Sequence, residues 1–359
     1  MAKIDQLFKI LVEQGGSDLH LSPTNPPMIR MSGELHPIGQ QRLDHERNKM
    51  LIYEIMDDFE RKTFEETGDL DFAYSVDELG ARFRANIFNE RKGIGAVFRV
   101  IPTKILSAED LGLPSVLTEY FCHLHKGLVL VTGATGSGKS TTLAAMIDYI
   151  NTNRADHILT VEDPIEFVHQ SKKGLVNQRE VGKNTKSFAS ALKAALREDP
   201  DVILVGEMRD LETIELAITA AETGHLVFGT LHASSAPKTI DRLIDAFPTD
   251  AQEQIRAMLG DSLKGVVAQQ LLKKKGGGRV GVQEVLIGTP AVSNLLREGK
   301  TFQIPSIMQT GRKDGQLTMD QAIEEKLKAG LVTPEEAYLK SHDKSRFKHL
   351  LNNTDTPPA

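Results

Sequence analysis

Three observations predict an α/β protein of two units. Apolar strands alternate with helical stretches from residue 128 onward, short strand-like pieces crowd the residues before 101, and a glycine-rich octapeptide joins the first of the later strands to a helix. A chain of 359 residues, at roughly 150 per domain, can give each unit its own core.

The first unit is read as a small α+β domain over residues 1–100. Ile4, Leu7, Phe8, Leu11 and Val12 recur at helical spacing, and Gly15-Gly16 ends that helix. Strand-like segments follow at 19–21, 28–31, 70–76, 82–88 and 96–100, with helical stretches at 44–56 and 58–66. Short strands with a few helices indicate an antiparallel sheet. Ile101-Pro102 closes the last strand and 101–106 is the expected linker, followed by a capping-box pattern at Ser107-Ala108-Glu109-Asp110.

The second unit, a core over 107–290 and a helical region over 291–359, alternates strand and helix. Strands are expected at 128–132, 158–162, 202–205 and 226–229, with helices near 139–151, 187–198, 211–223 and 237–246. Continuous apolar strands between helices indicate a parallel sheet covered on both faces. After residue 249 the chain reads as mainly helical, with one hairpin through Lys273-Lys274-Lys275-Gly276-Gly277-Gly278. Thr333-Pro334-Glu335-Glu336 starts a helix, and 352–359 is a frayed tail.

Composition narrows the function classes. Lys plus Arg number 43 and Asp plus Glu 49, a net charge of −6, which carries no global footprint for nucleic acid. Aromatic residues are 5% and Trp is absent, leaving few stacking platforms. The single cysteine, Cys122, excludes an intrachain disulfide and a multi-cysteine zinc site, and fits a reducing cytosol. Asp5 and Lys9 interrupt any signal-peptide apolar stretch, and no run approaches the ~18 apolar residues of a membrane helix. The expectation is a cytoplasmic protein without direct membrane insertion.

The octapeptide Gly133-Ala134-Thr135-Gly136-Ser137-Gly138-Lys139-Ser140 matches G-x-x-x-x-G-K-[ST] between a strand and a helix that continues with Thr141. Glycines permit positive φ, so that backbone N–H groups converge on phosphate oxygens, and the helix N-terminus adds partial positive charge. Lys139 reaches the β and γ phosphates, and the Ser140 hydroxyl binds Mg²⁺. No N-K-x-D guanine element follows the loop; Asn48-Lys49-Met50-Leu51 lacks the Asp and precedes it. ATP is therefore the expected nucleotide.

Hydrolysis also needs a metal clamp and a group that orients water. Glu162 and Glu207 each follow an apolar strand, at the edge where open α/β sheets bind ligands. Gly206 stands where an Asp is usual, so Glu207 is expected to hold the metal through water and Glu162 to act as general base; helix capping or a surface ion pair is the alternative for each. His225 and His232 bracket one strand and cannot share a metal. His232 is either a polar strand cap or a sensor of the γ-phosphate. Arg82 and Arg84, two apart, share a sheet face; with Arg91 and Arg99 they form either a solvated surface or a source of arginine fingers for a neighbouring subunit.

Taken in order, the octapeptide and residues 158–167, 199–210 and 224–234 resemble the Walker A motif, Asp box, Walker B motif and His box of secretion-type ATPases. Ser17-Asp18-Leu19-His20-Leu21, 26–31 and 82–86 resemble that family's N-terminal domain. Ala291-Val292-Ser293-Asn294-Leu295-Leu296-Arg297-Glu298 resembles A-I-R-N-L-I-R-E of its type IV pilus retraction members, with Ser293 in place of an Arg; Ala134 replaces a common Pro in the loop. The resemblance implies a PAS-like domain joined to a RecA-like ATPase domain. It implies a homohexamer, with Arg82, Arg84 and Arg99 approaching the γ-phosphate, peripheral at the inner membrane through a platform protein. Extension and type II secretion ATPases, the nearest alternative, commonly carry a four-cysteine zinc element that this chain cannot build. A nucleic-acid translocase and a scaffold without turnover are more distant readings.

Overall fold

The structure is a computed structural model and describes residues 2–31, 33–101 and 104–351. Pro102 and Thr103 of the expected linker and the expected tail at 352–359 lie outside the described residues. The chain divides into two compact units, Met1–Lys104 with Pro164–Val168, and Ile105–Asp163 with His169–Ala359.

The first unit holds six strands: β1 Asp18–Leu21, β2 Met28–Met31, β3 Glu34–Pro37, β4 Asp69–Val76, β5 Ala81–Glu90 and β6 Gly93–Ile101. They form an antiparallel sheet in the order β3-β2-β1-β6-β5-β4. Period-two alternation sets the core: Ala81, Phe83, Ala85 and Ile87 of β5 point inward, while Arg82, Arg84 and Asn86 share the opposite face. The helix Asp5–Glu13 covers this core through Phe8, stacked on Phe83 with ring centroids 4.2 Å apart and edge-on to Phe98 at 5.0 Å. Asp57 and Glu60 close a capping box at the helix Asp58–Thr67, and Gly68, at φ 80°, ends it. The short, mostly exposed β3 has no apolar alternation and was not foreseen.

The second unit holds β7 Gly127–Thr132, β8 His157–Glu162, β9 Leu175–Glu180, β10 Val202–Val205, β11 Leu226–Leu231, β12 Leu263–Lys273 and β13 Arg279–Ile287. Their order is β13-β12-β7-β11-β10-β8-β9. All neighbours are parallel except β12 and β13, so the expected parallel sheet carries one antiparallel edge strand. β7, β10 and β11 are buried along their whole lengths. Alternate residues feed two cores: Leu128, Leu130, Ile203, Val205 and Val227 on one face, and Val129, Val131, Val202, Leu204 and Phe228 on the other. The helix Lys139–Asn153 packs Leu143, Met146, Ile147 and Ile150 into the second core.

After residue 249 the chain is mainly helical with the expected hairpin through 273–278. Its arms are two long strands, joined to the main sheet where β12 pairs with β7. Gln and Lys residues within them dilute the apolar signal. Ser107 and Asp110 do exchange reciprocal bonds (3.2 and 3.0 Å), yet they close a turn and start no α-helix. Thr289 and Thr333 cap the helices Pro290–Arg297 and Pro334–Lys340. Of the stretch resembling the retraction motif, Val292 and Leu296 are buried in the main core and Leu295 packs against it. Cys122 is buried, and that burial pushes its thiol up to about 12, so it stays protonated.

Candidate nucleotide site

The parallel register brings four chain segments to one sheet edge. Thr132 pairs with Leu231, and Val205 with both Gly229 and Val161. The loop after β7, Glu162 at the end of β8, Glu207 beyond β10 and His232 beyond β11 therefore emerge at the C-terminal ends of neighbouring strands.

The loop has the backbone that phosphate binding requires. Gly133, Gly136 and Gly138 adopt φ of 149°, 76° and 89°. A Cβ on Gly133 would lie 2.3 Å from the Gln269 carbonyl oxygen and 2.5 Å from Ser137 Oγ, so no other residue fits there. Ala134, Thr135 and Gly136 are exposed, and Ser140 and Thr141 half-buried. Gly138 is the N-cap of the helix Lys139–Asn153, whose N-terminus faces the loop, and the first amides of a helix have no partner within it. Lys139 Nζ folds back and donates to the Gly133 and Ala134 carbonyls at 3.0 and 3.2 Å. Anionic oxygens would replace those neutral acceptors with stronger charge-assisted bonds. The residues present thus fit a polyphosphate.

Glu207 is held from two sides. Arg209 Nη2 lies 2.6 Å from its Oε2, and His232 Nε2 lies 3.0 Å from its Oε1. The Arg209 hydrogen bond, then its charge and His232, hold this carboxyl below the ordinary range against the opposing effect of burial. At Gly206, where an Asp is usual, a Cβ would make tight contacts, 3.1 Å from the Val161 carbonyl oxygen and 3.2 Å from Glu162 Cα. The Gly206 amide donates to Val161 (2.8 Å), and its carbonyl accepts from Thr230 Oγ1 (2.5 Å). Arg242 Nη1 donates to the His232 carbonyl at 2.5 Å.

Glu162 Oε1 accepts from Thr160 Oγ1 at 2.7 Å and from Gln178 Nε2 at 3.2 Å. Gln178 Oε1 in turn accepts from the His169 amide at 2.8 Å. His225 stays at the other end of β11, with Nδ1 3.0 Å from the Ala220 carbonyl oxygen.

Arg82, Arg84 and Arg99 belong to the first unit. There Arg84 pairs with Asp71 at 3.3 Å and Arg99 with Asp18 at 2.8 Å. Arg82 lines a cavity with Ser75, Asp77, Ile101 and Glu166, all of the same unit. Among the described residues no cluster of three or more His, Cys, Asp or Glu side chains gathers to hold a metal. No helix among them is long and apolar enough to cross a membrane.

Sequence reading missed Arg209, Thr160 and Gln178, which position the two acids. Arg209 and Thr160 each sit two residues from their acid, a spacing that could have drawn attention. Gln178 lies on a strand with no strong apolar signal.

Residues 1–277 match the family described as type II/IV secretion system protein. The chain is 54% identical over 344 residues to the type IV pilus retraction ATPase PilT of Pseudomonas aeruginosa, covering 96% of this chain and 99% of that one. It is 54% identical over 312 residues to a twitching motility protein of Neisseria gonorrhoeae, covering 87% and 83%. A crystal structure of the pilus retraction motor PilT with bound ADP superposes with a TM-score of 0.90 at 48% identity, covering 97% of this chain and all of that one.

Proposed function

The chain belongs to the type II/IV secretion system protein family, and from that membership we infer that it is an ATP-hydrolysing motor that powers type IV pilus retraction. One observation carries the reading: a glycine loop with its lysine, two carboxylates and a histidine share one edge of a parallel sheet. Such an edge positions the groups of phosphoryl transfer with little further chemistry to do.

In this reading the amides of residues 133–141 and the Lys139 ammonium bind the ATP phosphates. Ser140 and, through water, Glu207 would hold Mg²⁺, which would neutralise phosphate charge. Thr160 and Gln178 aim Glu162 as general base toward the attacking water. His232 reads the γ-phosphate through its contact with Glu207. In the assembled ring, Arg82, Arg84 and Arg99 of a neighbouring copy would exchange their local partners for γ-phosphate charge.

The same membership supports a reading of the wider assembly. A PAS-like domain over 1–100 joins through 101–106 to a RecA-like core over 107–290 and a helical region over 291–359. Six copies form a cytoplasmic ring docked on the inner-membrane platform protein, and hinge motion at the linker turns hydrolysis into pilin disassembly. Phosphate release by purified protein with Mg-ATP, and twitching of a deletion strain complemented with Lys139→Ala, test this. Turnover by wild type, and none by the variant with no twitching, is expected. A wild type that releases no phosphate, or normal twitching with Lys139→Ala, would reject it.

A further inference from the structure

Gln269 lies on β12 immediately after Ala268, which pairs with Thr132 at the foot of the phosphate loop. Its side chain is buried, and both ends of its amide are used. Nε2 donates to the Ser137 carbonyl at 2.8 Å, and Oε1 accepts from Thr142 Oγ1 at 2.7 Å. These two partners bracket Lys139 and Ser140 in the chain. The loop glycines are shaped around the same residue: a Cβ on Gly138 would lie 2.8 Å from Gln269 Nε2, and one on Gly133 would lie 2.3 Å from the Gln269 carbonyl oxygen.

We propose that Gln269 is a positioning residue for the nucleotide: a strut from the neighbouring strand that holds the phosphate loop and the first turn of its helix in binding geometry before ATP arrives. The inference rests on the nucleotide reading of the loop. A side-chain amide donates to a carbonyl through its nitrogen and accepts from a hydroxyl through its oxygen at once. Both bonds are buried, so losing either leaves a polar group unpaired in the loop's wall. A preorganised loop spends less of its phosphate contacts on ordering itself.

The test uses full-length protein, ADP as the binding probe and ATP hydrolysis. Gln269→Met keeps the shape and removes both bonds; it should raise the ADP Kd and the ATP KM about tenfold with kcat within about twofold. The nucleotide-free Tm should fall by about 4–8 °C, the shift expected for two lost buried bonds. Thr142→Val, which removes one bond and keeps the shape, should raise the Kd less, and adding it to Gln269→Met should raise it no further. This non-additivity is a signature that general loss of packing would not give. Wild-type affinity for ADP in both variants, or a large fall in nucleotide-free Tm with affinity kept, would overturn the proposal and leave the nucleotide reading standing. Failure of the wild type to bind ADP would overturn both. If Gln269→Met does not fold, Thr142→Val alone decides: unchanged ADP affinity overturns the strut.

Discussion

Glu207 and His232 meet across two neighbouring strand ends, with His232 Nε2 3.0 Å from Glu207 Oε1, while Arg209 grips the other carboxylate oxygen at 2.6 Å. Each partner removes a different freedom from the carboxylate. Glu207→Gln keeps the shape and removes the charge, so steady-state phosphate release should fall at least about a hundredfold. His232→Ala leaves the charge and loosens its aim, so a smaller fall in kcat is expected from the same assay.

The Arg209 hydrogen bond lowers the Glu207 carboxyl below its ordinary 4.5. A group whose folded value is depressed stabilises the fold above its unfolded value and loses that contribution as pH falls through the folded value. Wild type should therefore lose stability relative to Glu207→Gln as the pH drops below about 4.5, and Arg209→Ala should shrink the difference. Chemical denaturation of both proteins across that range measures it.

Burial lowers His169 from 6.5 to about 4, so the folded protein keeps it neutral while the unfolded chain takes up a proton. The sign is destabilising on acidification: stability falls from about pH 6.5 toward pH 4, by up to about 3 kcal/mol. A His169→Gln variant should show a flatter stability profile over that window in urea titrations. An equal slope in both proteins would contradict the buried, neutral imidazole.

Gly206→Asp restores the usual acidic residue but pushes a Cβ against the Val161 carbonyl and the Glu162 backbone. Overpacking of that kind costs roughly 1–3 kcal/mol and should displace Glu162. The variant should melt earlier and turn over more slowly than wild type, despite its extra carboxylate.

The helix Pro290–Arg297 separates packing from coupling. Leu296 and Val292 are buried, so Leu296→Ala should cost about 2–5 kcal/mol in thermal or chemical unfolding. Arg297 is partly exposed and pairs with Asp261 at 2.5 Å, so Arg297→Ala should cost under about 1 kcal/mol. A twitching defect in Arg297→Ala with ATP turnover intact would locate coupling on this helix's outer face.

Much of the site was legible because its chemistry is local. The loop from Gly133 to Ser140 is a contiguous string whose glycines, lysine and hydroxyl each have a required place. Glu162 and His232 end apolar strands that parallel pairing must bring to one edge. Gly206 was visible as an irregularity, but the tight approach of the Val161 carbonyl from the adjacent strand was not. The short β3 and β9 escaped notice because neither carries an apolar alternation, and while the β12–β13 hairpin was legible at its glycine turn, its pairing with β7 was not.

Amino-acid order alone determined the two-unit α/β plan, the phosphate loop and the acidic strand ends, since periodicity and short-range backbone chemistry act between near neighbours. Tertiary structure decided which groups hold those residues in place. Gln269 grips Ser137 and Thr142 across 132 and 127 positions of chain, Gln178 reaches Glu162, and His232 reaches Glu207. Such pairs arise from strand order and register, and these depend on how the whole chain buries its apolar faces.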